Sequence, residues 1–308
     1  MLEDDLYVDP WFYRYAQQAL EAYSQEDRVA GIALYAPRYN DYARLPFEPL
    51  DNGLAGYFMQ VPCSWGQAWS AAQWRAFRQW YDAADETAVD GNDAIPAEVR
   101  SWPESSWKKY FAAYLQETGR CFVYPYRSYT TNCADPGGTH IGRGSDLHQV
   151  PLADPVREFG THEFPELDAE GLLYDAFMEP RLRVELNDLS LPAGSVAIDL
   201  YGLKPHSLLR ACDYCLTTRP VRSSLVSFPL RFRPLPMNIY AGQGSDQEGP
   251  IRLSRSDQLL EREPLLARAR TRYRLKWYFL SGSKSGLTLL VFGLVALFRR
   301  LLPARQQP

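Results

Sequence analysis

The sequence has few of the features that identify disulfide-rich or zinc-binding proteins. Its five cysteines are an odd number at scattered positions, and its first residues do not form a secretory signal peptide. We therefore expect free thiols in a reducing compartment, the cytoplasm. The one Cys-x-x-Cys, Cys212 to Cys215, has no second pair to complete a zinc site, so we interpret it as two half-buried thiols.

Net charge and long apolar runs are also limited. The formal charge of −4 gives no indication of a nucleic-acid partner, and we expect none. The apolar run at 287–298 has about a dozen residues, whereas a helix needs about 20 to cross a bilayer. Arginines are frequent before and after it. These features predict a basic and apolar helical tail, 256–308, lying on the inner face of the cell membrane with Trp277 and Tyr278 at headgroup depth. The alternative is a tail packed on the protein.

Helix and strand patterns alternate in the first half of the chain and change after Pro151. The alternation predicts an α/β layer over 1–150, and short apolar runs between Pro, Gly and Asn turns predict a β-rich extension over 151–255. Predicted helices cover 10–24, 70–84 and 101–119, with Ser70 as a cap and Gly119 as the end signal, and predicted strands cover 28–37 and 120–132.

Three acids, Glu3, Asp4 and Asp5, stand together before the first predicted helix. Carboxylates at a strand-to-helix junction are suitable ligands for a hard divalent cation whose remaining ligands come from a nucleotide diphosphate. The alternative is a solvated acidic turn that caps the helix. The residues alone leave both open.

Four segments in order resemble a GT-A, family 2-like glycosyltransferase of bacterial capsule and surface-polysaccharide pathways. The segments are Glu3-Asp4-Asp5 with Asp9-Pro10-Trp11-Phe12, then 63–69 (CSWGQAW), 102–107 (WPESSW), and Asn132 with Gly138-Thr139-His140. The resemblance implies a partial, Rossmann-like GT-A layer. It also implies a metal-dependent enzyme, of the hexosyltransferase type, that moves sugar from a nucleotide-sugar to a glycan or lipid-linked acceptor.

The resemblance also implies roles for the acids and for one histidine. Asp5 would bind Mn²⁺ or Mg²⁺, and His140 would reach the metal or the diphosphate. Glu3 and Asp4 would contact the ribose or a metal-bound water. By itself, His140 is equally well explained as an ordinary loop histidine in a glycine-rich segment that is not a P-loop.

The remaining implied roles concern the acceptor. Glu104 would be the general base for the acceptor hydroxyl, and Trp65 with Gly66 would line the donor and acceptor cleft. Glu104 also has the spacing of a capping box with Ser101, and Trp65 is equally suited to a core position.

The sequence departs from this family at its start. A GT-A domain has about a hundred residues before its acidic motif, which hold the nucleotide, and only Met1 and Leu2 precede Glu3. We therefore expect a longer native protein, a partner chain that supplies the nucleotide-binding half, or a relative that no longer transfers sugar. The alternative function is a non-catalytic module that binds a glycan or a partner enzyme at the membrane.

Overall fold

A mixed five-stranded sheet forms the first of two main cores. The computed structural model describes residues 1–85, 88–133, 147–152, 159–169, 171–186, 189–192, 194–241 and 249–280. The strands in spatial order are β6 (Gln67–Ala68), β2 (Val29–Ala33), β7 (Cys121–Pro125), β5 (Gly56–Met59) and β9 (Leu173–Tyr174). Central strands β2 and β7 are parallel, and every residue in both is buried. Burial on both faces is typical of parallel strands covered by helices, so the α/β prediction is confirmed.

Helices cover both faces of this sheet. Helix α1 (Phe12–Ala22) lies on one face, where Tyr23 at its end contacts Phe58 of β5 at 5.6 Å between ring centroids. Helices α2 (Ala71–Ala83) and α4 (Trp107–Thr118) pack together on the other face, and Phe111 of α4 contacts Phe122 of β7 at 5.4 Å. Phe122 and Val123 are consecutive on β7, and Val123 pairs with Phe58, so the two contacts fall on opposite faces.

Local capping signals fix the ends of α2 and α4. The Ser70 hydroxyl accepts from the Gln73 N–H, and the Gln73 side chain accepts from the Ser70 N–H, which forms a reciprocal capping box. Gly119 ends α4 with a φ of 67°, a left-handed conformation that glycine adopts without steric cost. Both predicted signals are confirmed.

The predicted start of the third helix is wrong. Residues 97–100 form a short separate helix, α3 (Ala97–Arg100), and the Ser101 hydroxyl donates to the Glu98 carbonyl at its end. Helix α4 begins at Trp107 instead. Ser101 and Glu104 therefore do not form a capping box, because Ser101 already ends the preceding helix.

A second sheet of four strands forms the other core. Its order is β12 (Val196–Asp199), β13 (Tyr214–Thr217), β15 (Ile251–Arg255) and β14 (Val226–Phe228), and β12 and β13 are parallel. Short helices α5 (His206–Leu209) and α6 (Met237–Tyr240) lie within segments that were predicted as β-rich. Helix α7 (Leu265–Leu280) packs Leu275, Tyr278 and Phe279 against this core.

Three two-stranded ribbons complete the described elements. They are β1 (Leu6–Val8) with β8 (Thr130–Asn132), β3 (Tyr39–Asn40) with β4 (Leu45–Pro46), and β10 (Val184–Leu186) with β11 (Leu189–Leu191), all antiparallel. Because β9 pairs with β5, the first core continues past the predicted boundary at residue 150. Met178 is buried in that core, which therefore extends at least to residue 178, while Ala43 and Leu45 already belong to the second core.

A buried charge network lies between the cores. Asp199 at the end of β12 is 0% exposed and accepts from the Arg219 guanidinium at 2.8 Å and from two backbone N–H groups. Arg219 also pairs with Glu263, and Lys204 pairs with Asp175, which precedes Met178 in the chain. Of these bonds, the Lys204–Asp175 pair attaches the second core to the end of the first, and the Asp199–Arg219 bonds lie within the second core.

Among the described residues, no helix is long and apolar enough to cross a bilayer. The apolar run at 287–298, on which the predicted tail depends, lies outside the described residues. Tyr278 is not at a membrane surface as predicted. It is buried, and its hydroxyl donates to the Phe232 carbonyl.

We expect Asp199→Asn to lower the free energy of unfolding by about 2 kcal/mol, because it removes one of the two carboxylates that neutralise the buried Arg219 charge and leaves Glu263 as the other. Urea denaturation measures this change. Asp257→Asn is the matched control, since Asp257 and Arg255 form an exposed pair at 3.4 Å and should contribute less than about 1 kcal/mol. Equal effects of the two substitutions would show that the buried Asp199–Arg219 pair stabilises the protein no more than an exposed pair does.

Candidate functional site

Three segments that are distant in sequence meet at the carboxyl end of β2. The N–H of Leu34, just after β2, donates to the Gly66 carbonyl at 2.9 Å, and the Leu34 carbonyl accepts from the Tyr129 N–H at 2.8 Å. The Thr130 hydroxyl donates to the Trp65 carbonyl at 2.6 Å. We call the surface formed by residues 3–5, 64–66 and 130–132 the β2 rim. In α/β proteins, ligands bind outside the carboxyl ends of parallel strands.

Glycine is required at position 66. Its φ is +89°, and a Cβ atom there would lie 2.7 Å from the Thr130 Cγ2 atom. A larger residue would therefore be strained and would push β8 away from the turn. The predicted cleft position of Gly66 is a place where two backbones approach closely.

Asp5 lies on the β2 rim beside β8. Its Oδ2 atom accepts a hydrogen bond from the Asn132 amide at 2.9 Å, and its carbonyl accepts from the Cys133 N–H. The Oδ1 atom is buried and has no hydrogen-bond partner among the described residues. Burying a carboxylate oxygen without a hydrogen-bond partner lowers the stability of the folded protein. Such an oxygen is suited to receive a cation or a donor group of a ligand.

The three predicted acids do not converge on one point. Asp4 is exposed, whereas Glu3 is partly buried and its negative charge acts on the Lys108 ammonium and the Cys63 thiol. The described residues contain no group of three His, Cys, Asp or Glu side chains placed to hold a metal ion. His140 lies outside the described residues. The described chain therefore offers Asp5 Oδ1 as one ligand, and the rest would come from a nucleotide and water.

Trp65 is only partly buried, and charged and aromatic side chains surround its ring. The Tyr35 and His148 rings each lie 4.8 Å from it, and the Lys108 ammonium lies 5.8 Å from its centroid. The peptide group of Trp65 faces Thr130 on the β2 rim, while the indole faces His148. The carbonyl and the ring of Trp65 thus contact two different groups of polar residues.

Lys108 is an unusual cation. It lies in the first turn of α4, where the helix dipole disfavours positive charge, and no carboxylate among the described residues lies within 4.0 Å of its Nζ atom. The ammonium is 5.6 Å from the Trp102 ring and 3.5 Å from the Ser64 hydroxyl. Burial lowers its pKa, and the negative charges near it, including Asp41, oppose that shift.

Asp41 and His148 complete this second group. The Asp41 Oδ1 and His148 Nε2 atoms are 3.5 Å apart, and half of the Asp41 side chain is exposed. Burial raises the pKa of Asp41, while the positive fields of His148 and Lys108 oppose the rise. We call Trp65, Lys108, Asp41 and His148 the Trp65 cluster.

Glu104 is exposed in the turn before α4. It forms no hydrogen bond or ion pair with the described residues, and it belongs to neither the β2 rim nor the Trp65 cluster by any such contact. Its role as general base stays a prediction.

The cysteines have no role in this site. All five are free thiols, as expected. Burial raises the pKa of Cys63 to about 11, and its thiol donates to the Gly66 carbonyl at 3.5 Å. Cys215 is also buried, with a pKa raised to about 11. Both thiols are protonated at neutral pH and are therefore poor nucleophiles.

A separate surface cavity of about 390 Å³ lies on the second core. Its charged lining is three arginines and three acids: Arg210, Arg222, Arg255, Asp213, Asp257 and Glu261. Because these charges balance and the cavity is on the other core from the predicted residues, we place the candidate site at the β2 rim.

Sequence reasoning missed Asp41, Lys108 and His148. Lys108 had one available signal, a lysine in the first turn of a helix between tryptophans. Asp41 and His148 had none, because their importance comes from a contact across 107 residues of chain.

We expect Gly66→Ala to cost more stability than Gly53→Ala, and urea denaturation measures both. Gly53 also has a positive φ, +84°, but no atom lies within 4 Å of a Cβ placed there. Backbone strain alone should cost about 1 kcal/mol in the control, whereas Gly66→Ala should add an overpacking cost of about 1–3 kcal/mol. Equal losses would mean that the turn at 64–66 does not pack against β8 as described.

Comparisons with known proteins do not assign this arrangement to a family. Searches against protein families, curated proteins and solved structures find no match in any of the three. The case for a function therefore depends on the β2 rim and the Trp65 cluster themselves, together with the motif resemblance carried by the sequence.

Proposed function

We propose that the chain is a metal-dependent glycosyltransferase that moves a sugar from a nucleotide-sugar to a glycan or lipid-linked acceptor in surface-polysaccharide assembly. The observation that carries this proposal is the Asp5 carboxylate. One of its oxygens is fixed by Asn132, and the other is buried without a partner among the described residues. In the motif resemblance, Asp5 is the metal ligand.

The position of Asp5 also supports the proposal. Its partner Asn132 belongs to β8, and Thr130 at the other end of β8 contacts the turn at Gly66 beside the carboxyl end of β2. Mg²⁺ and Mn²⁺ at nucleotide sites are commonly held by one or two carboxylates plus phosphate oxygens. A single free carboxylate oxygen therefore fits such an ion if a nucleotide diphosphate supplies further ligands.

The roles of the chain's own residues follow from this placement. Asp5 would hold the cation through Oδ1, and Asn132 would keep the carboxylate oriented. The cation, Mn²⁺ or Mg²⁺, would neutralise the charge that develops on the leaving diphosphate. Exposed Asp4 is free to contact the ribose or a metal-bound water, and Trp65 would close the donor side of the cleft.

A second candidate function is a non-catalytic module that binds a glycan or a partner enzyme. It is favoured by the described residues, which bring no three metal-binding side chains together, and by the negative field that Glu3 exerts on Lys108 rather than on a metal site. Such a module would keep the Trp65 cluster and would not bind a metal-nucleotide complex.

Helix α7 supports a location at an anionic membrane surface. Its 16 residues include four arginines and one lysine and no acid. Leu265 and Leu266, in its first turn, are 85% and 86% exposed, and the helix packs on the protein mainly through its last two turns. A helix with exposed leucines and uncompensated arginines can lie on anionic lipid, ahead of the apolar run at 287–298.

We expect Mn²⁺ with UDP or GDP to raise the melting temperature of the full chain. At nucleotide concentrations 100 times Kd, the stabilisation should be about 2.7 kcal/mol. Asp5→Asn should abolish most of it, because an amide oxygen is a weaker ligand than a carboxylate. Thermal denaturation with and without EDTA measures the effect.

Asp4→Asn is the matched control for that experiment. It removes the same charge from an adjacent, exposed position and should keep most of the stabilisation. A folded wild-type chain that no nucleotide stabilises would contradict the transferase and favour the binding module. Equal losses in the two variants would contradict the role of Asp5.

We also expect the full chain to sediment with vesicles containing phosphatidylglycerol and not with pure phosphatidylcholine. Replacing Arg268, Arg270 and Arg272 by Ser should weaken binding about 100-fold, since each contributes about 1 kcal/mol near an anionic surface. Replacing three exposed arginines elsewhere, Arg14, Arg75 and Arg210, changes net charge equally and should have little effect. Equal sedimentation of both triple variants would exclude α7 as the docking element.

A further inference from the structure

The accessibility of Asp41 and the groups around it are those expected of a residue that accepts a proton. It lies in the loop between β3 and β4, beside His148, and half of its side chain remains accessible to a ligand. The titratable and charged groups that face it are Tyr35, Tyr39, Tyr42, Lys108 and His148. No strong ion pair with an arginine fixes Asp41 among the described residues, so its carboxylate is available for chemistry.

The position of Asp41 relative to Trp65 separates two functions. The Trp65 carbonyl is bound by Thr130 on the β2 rim, next to the strand that holds Asp5 through Asn132. The Trp65 indole contacts His148, which in turn meets Asp41. A donor and an acceptor bound on either side of Trp65 would therefore place the donor phosphates near Asp5 and the acceptor near Asp41.

The charges around Trp65 favour a neutral second reactant. The negative fields of Glu3 and Asp41 both act on the Lys108 ammonium, although neither carboxylate lies within 4.0 Å of it. A phosphate would be repelled by the carboxylates, whereas the hydroxyl groups of a sugar ring can donate to them and accept from the Lys108 ammonium or the Ser64 hydroxyl. Aromatic side chains beside such groups are typical of surfaces that bind sugar rings.

We propose that the Trp65 cluster binds the acceptor sugar and that Asp41 accepts the proton of its attacking hydroxyl. This inference depends on the proposed transferase function and replaces Glu104 as the base. His148 is a positioning residue, because it acts on the acceptor only through its contact with Asp41.

The chemical step balances without another reactant. The acceptor oxygen forms a bond to the anomeric carbon of the donor sugar, and its proton passes to a carboxylate oxygen of Asp41. The bond between the anomeric carbon and the diphosphate oxygen breaks, and its electron pair leaves with the nucleoside diphosphate. Because burial raises the pKa of Asp41, this carboxylate is a stronger base than an ordinary surface aspartate.

The test compares Asp41→Asn with Glu104→Gln in the full chain. Mn²⁺–UDP and Mn²⁺–GDP binding is measured by calorimetry. Release of UDP or GDP is then measured from UDP-glucose, UDP-galactose, UDP-N-acetylglucosamine and GDP-mannose, with water as the acceptor. Asp41→Asn should bind the nucleotide as wild type does and release it at least about 100-fold more slowly, the usual contribution of a general base. Glu104→Gln should change neither quantity.

The pH profile distinguishes a proton acceptor from a purely structural residue. The rate of UDP or GDP release should fall as the pH drops through the pKa of Asp41, since only the ionised carboxylate can accept a proton. His148→Asn removes a positive field that lowers this pKa, so the acidic limb should move to higher pH. An unchanged limb in His148→Asn would contradict its positioning role.

The outcomes separate this inference from the proposed function. If wild type binds and cleaves a donor while Asp41→Asn cleaves it equally fast, Asp41 is not the base and the transferase stands. If Glu104→Gln alone loses cleavage, the base is Glu104. If wild type binds no metal-nucleotide, or binds it and cleaves no donor, the transferase and the Asp41 step are both overturned.

Discussion

Leu34 is the residue on which the site depends, because both of its backbone groups are used to join other segments. Its N–H binds the turn at 64–66, and its carbonyl binds the segment that leads into β8. Neither segment can move without breaking a hydrogen bond at the carboxyl end of β2. Because β8 pairs with β1, the same junction also fixes the acids at the start of the chain.

The junction holds polar groups at buried positions, where they lower the stability of the folded protein. Asp5 Oδ1 is buried without a partner in the described part of the chain, and Lys108 is a partly buried cation in the first turn of a helix. Leaving such a group unsatisfied costs about 1–3 kcal/mol. Other buried carboxylates are of both kinds: Asp199 is well bonded, whereas Glu179 Oε2 is also buried without a partner among the described residues. Asp5 differs from Glu179 in its place on the β2 rim beside Asn132, which is why we propose a ligand there.

Local signals in the sequence were enough to predict several elements. Ser70 and Gln73 form a capping box within one helical turn, and Gly119 ends α4 through its own backbone conformation. Such features depend on neighbours within four residues, so tertiary structure does not override them. The apolar patterns at 28–37 and 120–132 predicted strands, and β2 and β7 lie within these segments.

Features that depend on distant contacts could not be predicted. Ser101 and Glu104 have the spacing of a capping box, but Ser101 is used by α3. Tyr278 follows a basic segment and was expected at a membrane surface, but its hydroxyl donates a hydrogen bond to the Phe232 carbonyl. Asp41 and His148 meet only through the tertiary fold, because they are 107 residues apart in the chain.

The most direct test of the account is a crystal structure of the full chain grown with Mn²⁺ and UDP, with the metal located by its anomalous scattering. The account predicts a manganese peak about 2.0–2.2 Å from Asp5 Oδ1, bridged to the diphosphate, with the uridine on the β2 rim side of Trp65. A nucleotide bound in the arginine-lined cavity of the second core, with no metal at Asp5, would contradict it.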